Sequence, residues 1–247
     1  MALQLASFDH SADAAQALAK RVSSDLQSAL SKNARALLLV SGGRSPLPFF
    51  SALSQQPLAW SQIDVSLVDE RSVPPNHADA NAMLVQQHLL VNAAAAARWL
   101  PLVSAYDAEI IHDPWALACH AADAANRNVA LAMPAVTVLG IGTDGHTASL
   151  FADAPQWSAA CSTTARYIAL QPAHAPHPRI SLSMSALRAQ RNCYVWAVGR
   201  DKRVTIDRCS VVHAMPSIAT RSAAATCALA ALISAPDFML NVFYSEA

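Results

Sequence analysis

Asp144 and His146 are the residues of this sequence best suited to chemistry, and they flank Gly145 shortly after an apolar segment. The unperturbed pKa of histidine lies near neutrality, which makes His146 the best candidate for a general acid or base. Glycine permits a turn that other residues adopt only with strain, so Gly145 could hold the polar pair at a strand end. The alternative is that His146 only hydrogen-bonds within its loop.

The same segment, residues 140–145, satisfies the pattern G-x-G-x-x-G of dinucleotide-binding folds. Three features count against a dinucleotide. The motif lies in mid-chain, no acidic residue follows at the required distance, and Asp144 and His146 stand where a pyrophosphate would approach the backbone. A carboxylate there would repel a pyrophosphate, so the segment favours a polar pair over a dinucleotide site.

A second glycine cluster lies in the segment SGGRSP at positions 41–46, between an apolar strand and a helical segment. The carboxyl end of a strand is where α/β sheets bind ligands. The backbone N–H groups of the two glycines could approach a phosphate, and the hydroxyls of Ser41 and Ser45 could donate hydrogen bonds to it. A plain strand-to-helix turn with Ser45 as the helix N-cap is an equally good interpretation.

Charged residues follow two further apolar segments. Asp69, Glu70 and Arg71 end one strand, and three consecutive charges there need a ligand, one another or solvent. Arg179 begins another apolar segment, and Lys202 follows a later one. At neighbouring strand ends, Arg179 and Lys202 could hold a phosphate dianion. The alternative is that they belong to an ordinary exposed basic face.

The composition excludes several classes of protein. Hydrophobic residues make up 53% and charged residues 14%, which is too apolar for a disordered chain and supplies one large core. Lys and Arg total 17, as do Asp and Glu, so the net charge favours neither nucleic acid nor a membrane surface as partner. The longest apolar run, residues 223–235, is too short for a membrane span. The N-terminus lacks a basic leader, which predicts a cytoplasmic protein.

The sequence offers no recognisable metal site. Its five cysteines are widely spaced without a Cys-x-x-Cys pair, which is typical of reduced thiols. His174 and His177 lie in the proline-rich segment 171–178, and no pair of partner ligands stands near them in the sequence. They are interpreted as ordinary loop residues, and no metal is expected.

The hydrophobic periods predict alternating helices and short strands, and hence a single α/β domain over residues 1–247 with a largely parallel sheet. The predicted strands cover residues 36–40, 65–68, 99–103, 136–141, 167–170, 180–183, 194–198 and 238–244. The predicted helices cover residues 11–30, with Ser11 as a possible cap, 46–53, 81–97, 114–126, 185–191, 202–212 and 220–233.

Taken in order, these segments resemble the 6-phosphogluconolactonase family of the pentose phosphate pathway. The family pattern is Ser-Gly-Gly-x-Thr/Ser-Pro, then Asp-Glu-Arg with Val-Pro and a distant Asn, then Gly-x-Gly-x-Asp-Gly-His-Thr-Ala-Ser-Leu-Phe, then Arg-Ile/Val-Thr/Ser. The matching residues here are 41–46, 69–74 with Asp79 and Asn81, 140–151, and 179–181. The resemblance implies a Rossmann-like fold, with a sheet flanked by helices, that is related to the folds of glucosamine-6-phosphate deaminase, ribose-5-phosphate isomerase and CoA-transferase. It also implies that the protein uses no nucleotide cofactor.

Glucosamine-6-phosphate deaminase is the closest alternative, because it shares the glycine loop, an Asp-Glu pair and an Asp-Gly-His element. Its glutamate after the histidine is replaced here by Leu150 and Phe151, and Arg71 stands where the deaminase has an aromatic residue. Both differences favour the lactonase. Arg44, Ala152 and Ser181 depart from the usual lactonase residues. A non-catalytic sugar-phosphate-binding protein is a further alternative, against which the intact Asp-Gly-His element counts.

The resemblance implies hydrolysis of 6-phospho-D-glucono-1,5-lactone to 6-phospho-D-gluconate without a cofactor. His146 would be the general base, oriented by Asp144, and Asp69 is a second candidate base. Arg71 and backbone N–H groups near residues 142–145 would stabilise the oxyanion. The implied phosphate-binding residues are Ser41, Gly42, Gly43, Arg44, Ser45, Arg179 and Lys202.

The expected partner is therefore a small sugar-phosphate lactone, bound by a cytoplasmic monomer or homodimer that contacts neither nucleic acid nor membrane. Gly199 ends the strand that would deliver Lys202 to the phosphate. All six glycines are accordingly predicted to surround one cleft.

Overall fold

The computed structural model describes residues 3–213, 226–236 and 238–247 of the chain. Its strands are β1 (Leu3–Phe8), β2 (Ala36–Val40), β3 (Ile63–Leu67), β4 (Asp69–Arg71), β5 (Arg98–Trp99), β6 (Val136–Leu139), β7 (Tyr167–Leu170), β8 (Arg179–Leu182), β9 (Cys193–Val198) and β10 (Leu240–Ser245). Its α-helices are α1 (Ser11–Leu30), α2 (Leu47–Ser54), α3 (Asn81–His88), α4 (Ala105–Ile110), α5 (Pro114–Arg127), α6 (Trp157–Ser162), α7 (Met184–Arg188), α8 (Arg200–His213) and α9 (Ala228–Ile233).

Seven strands form one parallel sheet in the order β1-β10-β9-β6-β2-β3-β5, with helices between them in the chain. Every residue of the central strands β2 and β6 is buried, as expected where helices cover both faces of a parallel sheet. Val40 lies opposite Leu67 of β3 and Val138 of β6. The loops that follow these three strands therefore leave the same carboxyl edge. The prediction of an α/β fold with a largely parallel sheet is confirmed.

The strands β4, β8 and β7 form a second, antiparallel sheet that was not predicted from the sequence. Residues 69–71 of β4 pair with residues 179–181 of β8. Successive side chains of a strand point to opposite faces, so Asp69 and Arg71 share one face of this small sheet and Glu70 takes the other.

The expectation that Arg179 and Lys202 end neighbouring strands is wrong. Arg179 is the first residue of β8 in the small antiparallel sheet, whereas Lys202 lies in the first turn of α8, after a strand of the large sheet. Periodicity alone does not say which sheet a short apolar strand joins, because that depends on pairing with distant residues.

Most predicted elements lie where the hydrophobic pattern placed them, and α1, β2 and β7 have the predicted bounds. The edge strand β1 was missed because half-exposed positions interrupt its apolar pattern. The helix predicted over 81–97 ends at His88 and is followed by a 3-10 helix at Asn92–Ala96. The helix predicted over 220–233 falls partly outside the described residues, of which α9 covers the end.

Neither serine proposed as a helix cap has that role. The N-cap of α1 is His10 and that of α2 is Pro46, and in neither case does the side chain make a capping hydrogen bond. Within the described part of the chain, none of the helices combines the length and the hydrophobicity needed to cross a bilayer.

Candidate active site

A cavity of about 260 Å³ lies over the carboxyl ends of β2 and β6 and brings the segments singled out in the sequence together. The residues proposed for the site that line it are Ser41, Gly42, Gly43, Arg44, Ser45, Asp69, Arg71, His146 and Lys202. Asp144 does not line this cavity but contacts His146, and Arg179 lies outside the lining.

The loop after β2 is fixed to the loop after β6. The backbone N–H of Ser41 donates to the carbonyl of Val138 at 2.9 Å, and the N–H of Gly140 donates to Ser41 Oγ at 3.1 Å. A serine hydroxyl can donate as well as accept, so Ser41 can still donate its own hydrogen to a ligand. The two glycine loops therefore form one continuous rim.

Gly42 and Gly43 are required for two different reasons. A Cβ at Gly42 would lie 2.1 Å from Oδ1 of Asn81, so only glycine fits there without displacing that side chain. Gly43 has a φ of +90°, which favours glycine. Their backbone lines the cavity directly before α2, and N–H groups at the N-terminus of a helix suit an anion.

The loop after β6 is built around the Asp144–His146 pair. Oδ1 of Asp144 lies 2.6 Å from Nδ1 of His146 and accepts the backbone N–H of His146 at 3.1 Å. Burial opposes ionisation of Asp144, but these two hydrogen bonds and the charge of the imidazole outweigh burial and lower the pKa of Asp144. A carboxylate at Nδ1 favours the tautomer protonated there, which leaves Nε2 to accept a proton.

The glycines of this loop serve the pair and the packing behind it. A Cβ at Gly142 would lie 2.1 Å from Nδ1 of His146. Gly145 has a φ of +86°, and a Cβ there would lie 2.5 Å from Sγ of Cys227. Neither Gly145 nor Gly199 lines this cavity, so the prediction that all six glycines surround one cleft is wrong.

Two backbone donors of this loop are already occupied. The N–H of Gly142 donates to the carbonyl of His146 at 2.8 Å, and the N–H of Gly145 donates to the carbonyl of Gly142 at 3.1 Å. These two groups close the turn and are not free for an oxyanion. The expectation that backbone N–H groups near residues 142–145 stabilise an oxyanion therefore does not hold for Gly142 and Gly145.

Helix α8 supports the same loop from the other side. Nζ of Lys202 donates to the carbonyl of Ile141, and Oγ1 of Thr205 donates to the carbonyl of Thr143 at 2.9 Å. Burial lowers the pKa of Lys202, although the nearby carboxylate of Asp144 opposes this shift. Lys202 thus brings a positive charge to the cavity wall while it holds the loop.

Asp69 connects the His146 loop to the small sheet. Its Oδ2 accepts a hydrogen bond from the hydroxyl of Ser149 at 2.6 Å, and the N–H of Ser149 donates to Oγ of Ser181 at 3.1 Å. Asp69 is buried and lines the cavity. Its carboxylate is therefore held by the loop that carries His146.

Glu70, the next residue, holds the start of α3. Its Oε1 accepts the backbone N–H groups of Arg71 and Asn81 at 2.6 and 2.8 Å, and its Oε2 accepts that of Ala82 at 2.7 Å. Burial raises the pKa of Glu70 to about 7 against the effect of these hydrogen bonds. Glu70 is thus a structural group next to two cavity residues.

Asn81 also lines the cavity. The sequence placed it in the family pattern but predicted no role for it. Its Nδ2 donates to the backbone carbonyl of Asp69 at 2.9 Å. Its Oδ1 is buried and has no hydrogen-bond partner within the described residues. Asn81 therefore places an acceptor without a partner among the described residues in the wall of the cavity.

Arg71 and Arg179 lie opposite each other on β4 and β8, but only Arg71 lines the cavity. The guanidinium of Arg71 donates to the backbone carbonyl of Asp79. Arg179 is 5% exposed, and its NH1 has no hydrogen-bond partner in the described part of the chain. Burial and the charge of Arg71 lower the pKa of Arg179 to about 10.

Two aromatic residues to which the sequence assigned no role in the site contact its loops. The ring of Phe151 lies 4.2 Å from that of His146, centroid to centroid, and Nε1 of Trp196 donates to the carbonyl of Ser45 at 2.7 Å. The contact between Trp196 and Ser45 joins residues 151 positions apart that only the fold brings together, whereas Phe151 follows His146 closely in the chain. The one group of three possible metal ligands among the described residues, His77, Asp79 and His177, does not line this cavity.

Comparison with known proteins agrees with this geometry. The family model of glucosamine-6-phosphate isomerases/6-phosphogluconolactonase matches residues 9–228. The 6-phosphogluconolactonase of Neisseria meningitidis serogroup A is 40% identical over 203 residues, which cover 81% of this chain and 85% of the relative. That of Pseudomonas aeruginosa is 41% identical over 206 residues, or 82% and 83% of the two chains.

Solved structures show the same fold. A crystal structure of a 6-phosphogluconolactonase from Shewanella baltica aligns with a TM-score of 0.83 at 32% identity, covering 98% of this chain and 97% of that one. A monomeric glucosamine-6-phosphate deaminase aligns with a TM-score of 0.71 at 12% identity, over 98% of each chain. The chain therefore belongs to the family of glucosamine-6-phosphate isomerases and 6-phosphogluconolactonases.

Proposed function

We propose that this chain hydrolyses 6-phospho-D-glucono-1,5-lactone to 6-phospho-D-gluconate, the second step of the oxidative pentose phosphate pathway. The observation that carries the proposal is the contact of 2.6 Å between Asp144 and His146, beside a cavity rimmed by glycine backbone and Lys202. A base and an anion site in one cavity suit an ester that carries a phosphate.

His146 acts as the general base in this mechanism. Its Nε2 takes a proton from water while the water oxygen attacks the lactone carbonyl carbon, giving a tetrahedral intermediate. Collapse of the intermediate breaks the bond to the ring oxygen, which receives the proton from His146 and becomes a hydroxyl. Asp144 keeps the imidazole ring of His146 oriented throughout and stabilises its imidazolium form.

Two observations support His146 over Asp69 as the base. The carboxylate of Asp69 is buried and already accepts the hydroxyl of Ser149, whereas the tautomer favoured by Asp144 leaves Nε2 of His146 unprotonated. We assign Asp69 to orienting the attacking water or a substrate hydroxyl. Asn81, whose buried Oδ1 lacks a partner among the described residues, accepts another substrate hydroxyl.

Positive charge is divided between the two ends of the substrate. Arg71 stabilises the oxyanion, because two of the backbone donors expected to help, those of Gly142 and Gly145, are used within the loop. The phosphate lies at the N-terminus of α2 against Gly42 and Gly43, with Ser41 and Ser45 as hydroxyl donors and Lys202 as counter-charge. Arg44 adds an exposed charge at the rim, and Arg179 adds a buried positive charge next to Arg71.

The test follows lactone disappearance immediately after enzymatic oxidation of glucose 6-phosphate, since the lactone also hydrolyses spontaneously. The protein is expected to accelerate the decay, and His146→Ala to abolish most of the acceleration. Decay at the spontaneous rate would disprove the proposal. Ammonia release from glucosamine 6-phosphate would favour a deaminase, and calorimetric binding of 6-phosphogluconate without turnover would favour a binding protein. A cytoplasmic monomer or homodimer completes the proposal.

A further inference from the structure

A cluster of three possible metal ligands lies outside the cavity, where the turn after β4 meets the proline-rich loop before β8. Oδ2 of Asp79 is 3.0 Å from Nε2 of His177 and 3.9 Å from Nδ1 of His77. The ligand atoms of all three side chains lie within 4.8 Å of one another. We propose that this cluster binds one divalent transition-metal ion, with Zn²⁺ as the best fit.

The distances suit a small tetrahedral ion. Zinc binds imidazole nitrogen at about 2.0–2.1 Å and carboxylate oxygen at about 2.0–2.2 Å, which places neighbouring ligand atoms roughly 3.3 Å apart. The two separations measured from Asp79, 3.0 and 3.9 Å, bracket this value. All three ligand atoms lie within 4.8 Å of one another, so the side chains must close in slightly around an ion.

The donor set selects the class of ion. Two imidazoles and one carboxylate match zinc and its transition-metal neighbours, whereas Mg²⁺ and Ca²⁺ prefer oxygen ligands throughout. The side chains of His77 and Asp79 are 43% and 55% exposed, so an ion can enter and water can take the fourth position. Nδ1 of His77 accepts the N–H of Asp79 at 3.1 Å, and ligation through this atom replaces that bond.

The two segments are held in place by other contacts. The N–H of His77 donates to the carbonyl of Pro74 at 2.9 Å, and the N–H of Ser72 donates to the carbonyl of Pro178 at the same distance. His177 has a φ of +67°, a conformation uncommon for a residue other than glycine. The ligands are therefore presented by the pairing of β4 with β8, and an ion would join the two loops.

An ion pair without metal is the competing explanation, since a protonated His177 would also contact Asp79. The two explanations differ in what added metal does. A metal site binds one equivalent of Zn²⁺ and raises the melting temperature, because the ion binds the folded chain. An ion pair gives neither result.

The experiment titrates chelator-treated, dialysed protein with ZnCl₂ in a calorimeter and with CoCl₂ in a spectrophotometer. We expect one ion per chain, and at least a tenfold loss of affinity in His77→Ala and in His177→Ala. His174→Ala is the matched control, because His174 lies in the same loop, is 87% exposed and pairs with Asp153 instead. Circular dichroism of each metal-free variant checks that it is folded.

Several outcomes would overturn the proposal. These are an absence of stoichiometric binding, an affinity that falls less than twofold in both His77→Ala and His177→Ala, and an equal loss in His174→Ala. The thiols of Cys209 and Cys227, 3.6 Å apart, are a second place among the described residues where zinc could bind. An intense near-ultraviolet thiolate band with Co²⁺ that disappears in Cys227→Ser would assign the ion to them. None of these readouts depends on lactone hydrolysis.

Discussion

The large parallel sheet and the small antiparallel sheet build the site in different ways. The carboxyl edge of the parallel sheet supplies two loops in which glycines bring the backbone close to the cavity. The small sheet supplies charged side chains, and the alternation of β4 divides them. Asp69 and Arg71 line the cavity, whereas Glu70 holds the first N–H groups of α3.

The comparison teaches that neighbouring residues of similar chemistry can have unrelated roles. Asp69 and Glu70 are both buried carboxylates in a strand of three residues. One accepts a hydroxyl from the His146 loop, and the other accepts three backbone N–H groups. In the loops of the parallel sheet, the conformations open to glycine decide where the backbone lies. In the small sheet, the direction in which each side chain points decides its role.

The largest expected effect tests which region holds the base. His146→Ala is expected to lower kcat for the lactone by about 10²- to 10⁴-fold, the range typical of a lost general base. Asp69→Asn, which keeps an oxygen for Ser149, is expected to lower kcat less. Thermal unfolding of both variants controls for loss of fold. If His146→Ala lowered kcat only slightly and Asp69→Asn lowered it strongly, the general base would be Asp69 of the small sheet.

The second prediction concerns the structural side of the small sheet. The pKa of Glu70 rises from 4.5 to about 7 on folding, so the folded chain binds this proton more tightly than the unfolded chain. The resulting stabilisation is complete below about pH 4.5 and is lost as the pH rises through about 7, a change of roughly 3 kcal/mol in the free energy of unfolding.

Urea unfolding between pH 4.5 and 8 measures this loss. Glu70→Gln is expected to flatten the pH dependence, because the neutral amide has no proton to lose. Glu109→Gln is the matched control, since Glu109 is exposed. A pH dependence in Glu70→Gln as steep as in the unmodified chain would contradict the prediction.

The third prediction tests the place where the two regions touch. Gly42→Ala puts a Cβ 2.1 Å from Oδ1 of Asn81 and is expected to cost about 1–3 kcal/mol of stability through overpacking. It should also raise KM, because Asn81 and the glycine loop both move. Gly140→Ala is the control, since its Cβ would meet nothing closer than 3.9 Å. Equal melting temperatures for the two variants would show that the contact is easily relaxed.

The smallest effect is expected at Arg44, whose side chain lies on the glycine-rich rim of the cavity. Arg44 is exposed, and exposed ion pairs contribute about 0–1 kcal/mol. Arg44→Ala should therefore raise KM for the lactone by at most about fivefold and leave kcat unchanged. Initial rates at two salt concentrations test this, because screening should reduce the difference between the two proteins. A fall in kcat would place Arg44 closer to the chemistry.

Much of the fold and of the candidate site was accessible from local sequence. Continuous apolar segments predicted β2 and β7 with the observed bounds, because largely buried strands leave a strong hydrophobic pattern in the parallel sheet and in the antiparallel sheet alike. The separation of Asp144 and His146 by one glycine predicted a polar pair, and their contact at 2.6 Å has that geometry. Each of these two signals is contained in a few consecutive residues of the sequence.

The remaining features depend on residues far apart in the chain. The three residues of β4 are too short a segment to predict a strand, and their pairing with β8 places Arg179 off the cavity and next to Arg71. The occupied N–H groups of Gly142 and Gly145 follow from the closure of a turn, which residue types do not specify.

The sequence by itself determined which residue types could do the chemistry and that the two glycine loops follow buried strands, because hydrophobic periods and glycines act locally. Only the tertiary structure decided which of two adjacent carboxylates faces the cavity. It also brought His177 to Asp79, 98 residues away, to form the proposed metal site. Strand pairing causes both results, since the register between distant segments fixes where each side chain points.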